Sequence, residues 1–200
     1  MAPLTVYYVR HGETYWNVAG RLQGRRDVSL NTQGRAQAAR CGDILRGLFE
    51  SAARNPRDLD YVSSPLGRAC ETMELMRWTL GLPSNGYRLE PRLAEISFGD
   101  WEGFTIAQLH TRDPQRIAAR EQDKWRFVPP GGESYEAVSG RVSEWFDSLT
   151  RDTVAVSHGG GTARGLLAHL GIAQPAAAPL VDIAQGVVYV FEGKRIARLA

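Results

Sequence analysis

The sequence predicts an α/β fold, a mainly parallel central sheet with helices on both faces. Short β-branched and aromatic runs alternate along the chain with longer segments whose apolar residues recur at helical spacing, as expected where helical crossovers connect parallel strands. One run, Thr153-Val154-Ala155-Val156-Ser157, is evenly apolar rather than alternating, as a strand buried on both faces must be. No repeat, low-complexity segment or linker divides the chain, so a single domain is expected over residues 1–200.

The elements follow in order. Thr5-Val6-Tyr7-Tyr8-Val9 is long enough for a strand and too short for a helix. A polar segment from Gly12 to Ser29 carries Arg21, Arg25 and Arg26, which either line a pocket mouth or keep a loop soluble. Asn31 or Thr32 caps a helix to about Ala53, with Ala38, Cys41, Leu45 and Leu48 on one stripe. A second strand is expected over Leu59-Asp60-Tyr61-Val62-Ser63. Ser64-Pro65 then reads as an N-cap with proline at the first helical position, opening a helix to about Leu80 with Arg68 in its first turn. A polar stretch rich in Arg and Gln predicts an exposed helical excursion at about 104–130, placed to cover a pocket and ended by Pro129-Pro130-Gly131-Gly132. From Glu133 to Leu149 a helix presents Tyr135, Val138, Val142, Trp145 and Leu149 on one face. After the strand at 153–157, His158-Gly159-Gly160-Gly161 turns into a helix to about Leu170, and Val187 to Leu199 reads as a hairpin turning at Glu192-Gly193.

With 43% hydrophobic residues over 200 positions, the chain is able to bury roughly 70% of its unfolded surface without a disulfide or metal staple. Its 24 basic and 22 acidic side chains leave a net charge of +2, which argues against nucleic acid or a membrane surface bound by bulk electrostatics. No apolar run approaches the roughly 20 residues of a membrane span, and Met1-Ala2-Pro3 leads into a strand with no basic-then-apolar leader. A cytoplasmic protein with no nucleic-acid and no membrane partner is expected. Cys41 and Cys70 fall in separate helices and are expected as buried free thiols. Of the basic residues only Lys124 and Lys194 are lysine, and arginine is the side chain that grips phosphate in a bidentate fork.

The chemistry gathers at strand ends. Val9 leads to Arg10-His11-Gly12-Glu13-Thr14, Val62 to Ser63-Ser64-Pro65 with Arg68, and Val156 to Ser157-His158-Gly159-Gly160. Ligands of open parallel sheets bind outside the carboxyl ends of the strands, so two histidines and two arginines come to one edge. Helix N-termini expected at Ser64-Pro65 and Gly159-Gly160 add N–H groups that favour an anion. A phosphoryl group suits this set, because its transfer depends on positioning and on stabilising charge at the equatorial oxygens. The histidines at 11, 110, 158 and 169 show no metal-ligand spacing, and arginines would repel a cation, so no metal and no cofactor is expected. The nucleophile is then a histidine or water. The glycines at 159–161 lack dinucleotide-binding spacing, and a nucleotide cofactor is set aside.

Arg10-His11-Gly12-Glu13-Thr14-x-Trp16-Asn17 is followed in order by Arg21-Leu22-Gln23-Gly24, Ser64-Pro65-x-x-Arg68-Ala69, Glu95, Phe98-Gly99-x-Trp101-Glu102-Gly103, Pro130-Gly131-Gly132-Glu133-Ser134 and Ser157-His158-Gly159-Gly160. This series resembles the signature of the histidine phosphatase (phosphoglycerate mutase-like) superfamily, and the agreement of several separate motifs makes it specific. The resemblance implies a three-layer α/β/α sandwich of the phosphoglycerate mutase-like type and metal-free phosphoryl transfer. It implies His11 as nucleophile, forming a phosphohistidine that water hydrolyses, and Glu95 as general acid, with Glu13, Asp100 and Glu102 as rival carboxylates. Arg10, Arg68 and His158 would hold the phosphoryl oxygens and Asn17 would donate a further hydrogen bond. Gln23 and Gly24 resemble the substrate-contacting loop of the family, and Gly159 beside His158 joins them as a binding residue. Arg10 and Arg68 should push the His11 imidazole below its usual value near ~6.5, toward the neutral form that attacks.

Phe98-Gly99-x-Trp101-Glu102-Gly103 after Glu95 looks like the phosphatase branch, so the expected activity is hydrolysis of a small phosphorylated substrate. A phosphoglycerate mutase is the first alternative. A non-catalytic phospholigand-binding module is the second, disfavoured because nucleophile, arginines, second histidine and acid are all present. The triple glycine at 159–161 with Thr162-Ala163-Arg164 departs slightly from the family's usual apolar residue after the second glycine, which bears on the pocket beside His158. Trp16 and Trp101 are read as packing residues, and His110 and His169 as structural. The motifs leave open the identity of the substrate, phosphoproteins included, and the oligomeric state.

Overall fold

The computed structural model describes residues 4–200. In chain order its elements are β1 (Thr5–Arg10), α1 (Tyr15–Val18), α2 (Thr32–Ser51), β2 (Asp60–Ser63), α3 (Gly67–Thr79), β3 (Arg88–Leu89), α4 (Ile106–Arg112), α5 (Pro114–Gln122), α6 (Tyr135–Asp147), β4 (Thr153–Ser157), α7 (Thr162–His169), β5 (Val188–Glu192) and β6 (Arg195–Leu199). The strands form one sheet in the order β3-β2-β4-β1-β5-β6. The first four of these neighbours are parallel, and β5 and β6 add the expected hairpin antiparallel to β1.

Alternate side chains of a strand face opposite sides of the sheet, and β1 fills both sides. Val6 and Tyr8 pack with Val138, Val142 and Trp145 of α6 and Leu166 of α7, whereas Tyr7 and Val9 pack with Cys41, Leu45 and Phe49 of α2 and Met73 and Met76 of α3. In β4, Val154 and Val156 join the α2–α3 side and Ala155 the α6–α7 side, which is why that run shows no polar alternation. The result is the three-layer α/β/α sandwich. At its centre the C-terminal ends of β1 and β4 lie side by side, and the chain leaves them for helices on opposite faces. Such a divergence opens a crevice at the sheet edge.

The excursion after Gly103 folds as the α4–α5 hairpin. Leu109, Ile117, Trp101 and Trp125 anchor it in the α6–α7 core, Trp101 stacks on Phe127 with ring centroids 5.2 Å apart, and the Trp101 indole N–H donates to Asp113 at 3.2 Å. Both tryptophans of the matched motifs therefore serve packing: Trp16 is half-buried and lies against Gly103.

Two short elements were not expected. β3 is an exposed two-residue edge strand with no periodicity to reveal it. α1 is a single turn held by a capping box in which Thr14 and Asn17 satisfy each other's backbone N–H groups. The start of α3 also differs from expectation. Ser64 remains extended because its N–H continues the ladder to the Val156 carbonyl at 2.9 Å, and the helix begins only at Gly67. Cys41 is buried as expected, but Cys70 is half-buried, its thiol donating to the Ser64 carbonyl at 3.4 Å. No helix among the described residues is long and apolar enough to cross a membrane.

Candidate active site

β1 delivers Arg10 and His11 to the crevice, and the backbone fixes the histidine first. The His11 N–H donates to the Ser157 carbonyl of β4 at 2.9 Å, extending the parallel ladder one residue past the strand. Its imidazole is 2% exposed, with Nδ1 2.7 Å from the Gly12 carbonyl and Nε2 3.3 Å from Nε of Arg68. A carbonyl only accepts and a guanidinium only donates, so the proton sits on Nδ1 and the lone pair on Nε2. Burial, then Arg68 and Arg10, hold this imidazole well below its usual value against the opposing pull of the Gly12 carbonyl.

Arg68, in the first turn of α3, is buried and has no carboxylate partner among the described residues. Nη1 and Nη2 donate to the carbonyls of Arg26 and Gly24 at 2.7 and 2.8 Å, so the 24–26 loop aims the guanidinium at His11. Gly24 adopts a φ of +52°, and a side chain there would collide with Glu102. Arg10 donates from Nη1 to the Ile183 carbonyl at 2.6 Å, while its buried Nε has no partner among the described residues. Gly159 makes room for it, since a Cβ would lie 2.6 Å from Arg10 Cδ.

His158 stands behind His11, ring centroids 5.0 Å apart. Its Nε2 is 2.7 Å from the Ser64 hydroxyl, which also takes the Leu66 N–H at 3.4 Å. His158 Nε2 is the one acceptor within reach of the Ser64 hydroxyl proton among the described residues, so the hydroxyl gives its proton to Nε2. That leaves Nδ1 protonated, and Nδ1 is buried with no partner among the described residues. Two orphaned polar atoms, Arg10 Nε and His158 Nδ1, thus lie beside the imidazole of His11, the signature of a site built for a polar ligand. Burial first, and then Arg68, His11 and Arg10, keep His158 well below its usual value too.

The N-terminal N–H groups expected to face a ligand are already taken by the chain's own carboxylates. Gly67 N–H donates to Asp27 at 3.0 Å; Gly160 and Gly161 donate to the two oxygens of Glu95 at 3.0 and 2.7 Å. Glu95 takes the Ile96 N–H as well, at 2.9 Å, and Arg141 of α6 holds its backbone carbonyl at 3.2 Å. Its rivals are occupied elsewhere: Glu13 accepts from Asn31 at 2.8 Å, Glu102 from the Arg25 and Phe98 N–H groups at 3.0 and 3.2 Å, and Asp100 is exposed.

Arg10, His11, Asn17, Gln23, Gly24, Arg68 and Glu95 all line one cavity of about 200 Å³. His158 and Gly159 lie just behind that lining, the first touching Ser64 and the second Arg10. Asn17 is oriented by its Oδ1, which takes the Thr14 N–H and the Gln185 amide, each at 3.1 Å. Of the three loop arginines Arg21 lines the cavity, whereas Arg25 pairs with Glu133 and Arg26 is exposed beside Glu102. His110 and His169 pair with Glu121 and Asp147 away from it. The sequence reading missed Arg120, Lys124, Tyr135 and Arg164, which complete the wall. Burial, helped by Arg120 and Arg164, pushes Lys124 down to about 8. A basic pair four apart at the end of a helical excursion was the available signal. No group of three His, Cys, Asp or Glu suited to a metal occurs among the described residues.

Comparison with known proteins agrees with this geometry. The profile described as histidine phosphatase superfamily (branch 1) matches residues 6–197. The glucosyl-3-phosphoglycerate phosphatase of Mycobacterium tuberculosis is 37% identical over 166 residues, covering 76% of this chain and 69% of that protein. The 6-phosphofructo-2-kinase/fructose-2,6-bisphosphatase of Gallus gallus is 34% identical over 151 residues, 76% of this chain but 29% of that longer protein. The native structure of a mycobacterial glucosyl-3-phosphoglycerate phosphatase superposes with a TM-score of 0.75 at 30% identity, covering 94% of this chain and 89% of that one. With two histidines, two arginines and a carboxylate gathered at the β1–β4 crevice and the profile spanning nearly the whole chain, this protein belongs to branch 1 of the histidine phosphatase superfamily and is a phosphatase.

Proposed function

We propose that this phosphatase works through a phosphohistidine on His11 and that its substrate is a small phosphomonoester carrying a second acidic group. The observation that carries the mechanism is a neutral imidazole whose Nε2 lone pair faces Arg68 in a cavity shared with Arg10 and Glu95. Nε2 attacks phosphorus as the ester P–O bond breaks, and the leaving oxygen takes a proton from Glu95. Water then attacks the phosphohistidine and gives its proton to Glu95; the P–N bond breaks, releasing phosphate and neutral His11. Arg10, Arg68, the Nδ1–H of His158 and the Nδ2 amide of Asn17 take the oxygen charge as it develops, and Gln23 and Gly24 contact the ester.

The second acidic group is supported by the charge of the lining. Arg120, Lys124 and Arg164 neighbour one another along the cavity, Arg21 also lines it, and Glu95 is the one carboxylate among the lining residues. The names of two relatives point the same way, since phosphoglycerate esters and fructose bisphosphate each carry a second anion. The α4–α5 hairpin, bearing Arg120, acts in this reading as the lid of the cavity. Free thiols at Cys41 and Cys70 support a reducing, cytoplasmic compartment.

The test is phosphate release from p-nitrophenyl phosphate and from sugar and glycerate phosphates in excess chelator, comparing wild type with His11→Ala. Release that survives chelator and disappears in the variant is expected. An active His11→Ala protein, or transfer between phosphoglycerates without release, overturns the reading.

A further inference from the structure

From within a short helical turn at Ala178–Leu180 onward to β5, alternate residues of the chain hold the side chains of the site. The Pro179 carbonyl accepts from Lys124 Nζ at 3.0 Å, the Val181 carbonyl from Arg164 Nε at 3.0 Å, and the Ile183 carbonyl from Arg10 Nη1 at 2.6 Å. Gln185 completes the series, its Nε2 donating to the His11 carbonyl and to Asn17 Oδ1, both at 3.1 Å. Three of these contacts are made by backbone carbonyls and the fourth by the Gln185 side chain. The residues between them face elsewhere: Asp182 is exposed, and the Ala184 N–H donates to the Tyr189 hydroxyl at 2.8 Å. None of residues 179–185 lines the cavity itself.

We propose that residues 179–185 form a positioning strap that holds both halves of the cavity, and that Gln185 is its positioning residue for phosphoryl transfer, acting through Asn17 and His11. The proposal rests on the phosphatase reading above. Asn17 Oδ1 receives the Gln185 amide in addition to Thr14, which keeps the Asn17 NH₂ turned to the cavity. The His11 peptide is held at both ends, its N–H by Ser157 and its carbonyl by Gln185. Without Gln185 the Asn17 amide is held by Thr14 alone and the His11 carbonyl loses its donor, so both groups are positioned less tightly. Misplacement of reacting groups by an ångström costs on the order of 100-fold in rate, so a milder loosening should cost about tenfold.

The experiment is a double-mutant cycle read in kcat on p-nitrophenyl phosphate, with the melting temperature recorded for every protein. Gln185→Leu removes both donated hydrogen bonds at similar volume, and Gln185→Glu removes them while keeping the shape and serves if the leucine variant fails to fold. Expected is a fall in kcat of about tenfold in the wild-type background that shrinks to about threefold or less in Asn17→Ala, because coupled residues are not additive. Equal losses in both backgrounds, or kcat unchanged in a folded Gln185 variant, overturn the strap. A wild type without activity, or an active His11→Ala, instead overturns the phosphatase reading, so the two failures are distinct.

Discussion

The protonation pattern of the site is set by single atoms. The Gly12 carbonyl fixes the proton of His11 on Nδ1, and Ser64 fixes that of His158 by occupying its Nε2. Glu95 is held differently, by the N–H of its neighbour Ile96 and by those of Gly160 and Gly161 in the turn into α7. As the proposed proton donor to the leaving oxygen it should matter in proportion to the basicity of that oxygen. Glu95→Gln is therefore expected to lower kcat on an alkyl or sugar phosphate by about 10²–10⁴-fold and on p-nitrophenyl phosphate by much less. Because an amide NH₂ would face a backbone N–H there, Glu95→Ala is the companion variant. Equal impairment on every ester would assign the acid elsewhere.

Among the elements, the α4–α5 hairpin and the residues that follow it contribute Arg120 and Lys124 to the cavity lining. The hairpin is anchored by buried Leu109, Ile117 and Trp101, which leaves Arg120 and Lys124 to face the cavity as polar residues on an apolar support. Lys124 is half-buried among cations, and with its ammonium held down to about 8 it is charged below that pH and neutral above it. For a substrate with a second anion, such as 3-phosphoglycerate, KM should rise as pH passes through about 8, whereas KM for p-nitrophenyl phosphate should follow only the changes common to both. Lys124→Ala should raise KM for the doubly acidic ester about tenfold, within the few kcal/mol of a charge-assisted hydrogen bond, and abolish the differential pH effect. Steady-state kinetics of both esters across pH 6.5–9.5 (about three units, bracketing the titration) checks this; parallel KM profiles would remove Lys124 from substrate binding.

Across the whole molecule, the site lowers acid stability. His11 and His158 are both buried and neutral, held well below the usual value by burial and by Arg68. The unfolded chain takes up these protons near pH ~6.5 while the folded chain does not, so the stability is fully present above ~6.5 and is lost as pH falls below it. Each histidine adds a slope of up to about 1.4 kcal/mol per pH unit. Urea unfolding between about pH 7.5 and 5 should show this decline, and His158→Gln should make it shallower. An unchanged slope in that variant would mean that His158 is already protonated in the fold.

Much of this architecture is legible in the sequence, because short evenly apolar runs report strands buried on both faces and a 3.6-residue apolar period reports the buried face of a helix. β1, β4 and the α6 stripe of Tyr135, Val138, Val142 and Trp145 follow directly from it, and the motifs at Arg10-His11, Arg68 and His158 mark the strand ends where ligands bind. β3 and the start of α3 do not follow, since a two-residue edge strand has no period and the extended Ser64 is dictated by pairing with Val156. Only the tertiary structure decides which carboxylate meets which N–H: Asp27 and Gly67 are 40 residues apart, Glu95 and Gly160 are 65. The same holds for Arg120, Lys124, Arg164 and Gln185, whose places in the site are fixed by the packing of the hairpin, α7 and the strap around the crevice. Local sequence specifies which face of an element is buried; which groups come together there depends on how the faces close on one another.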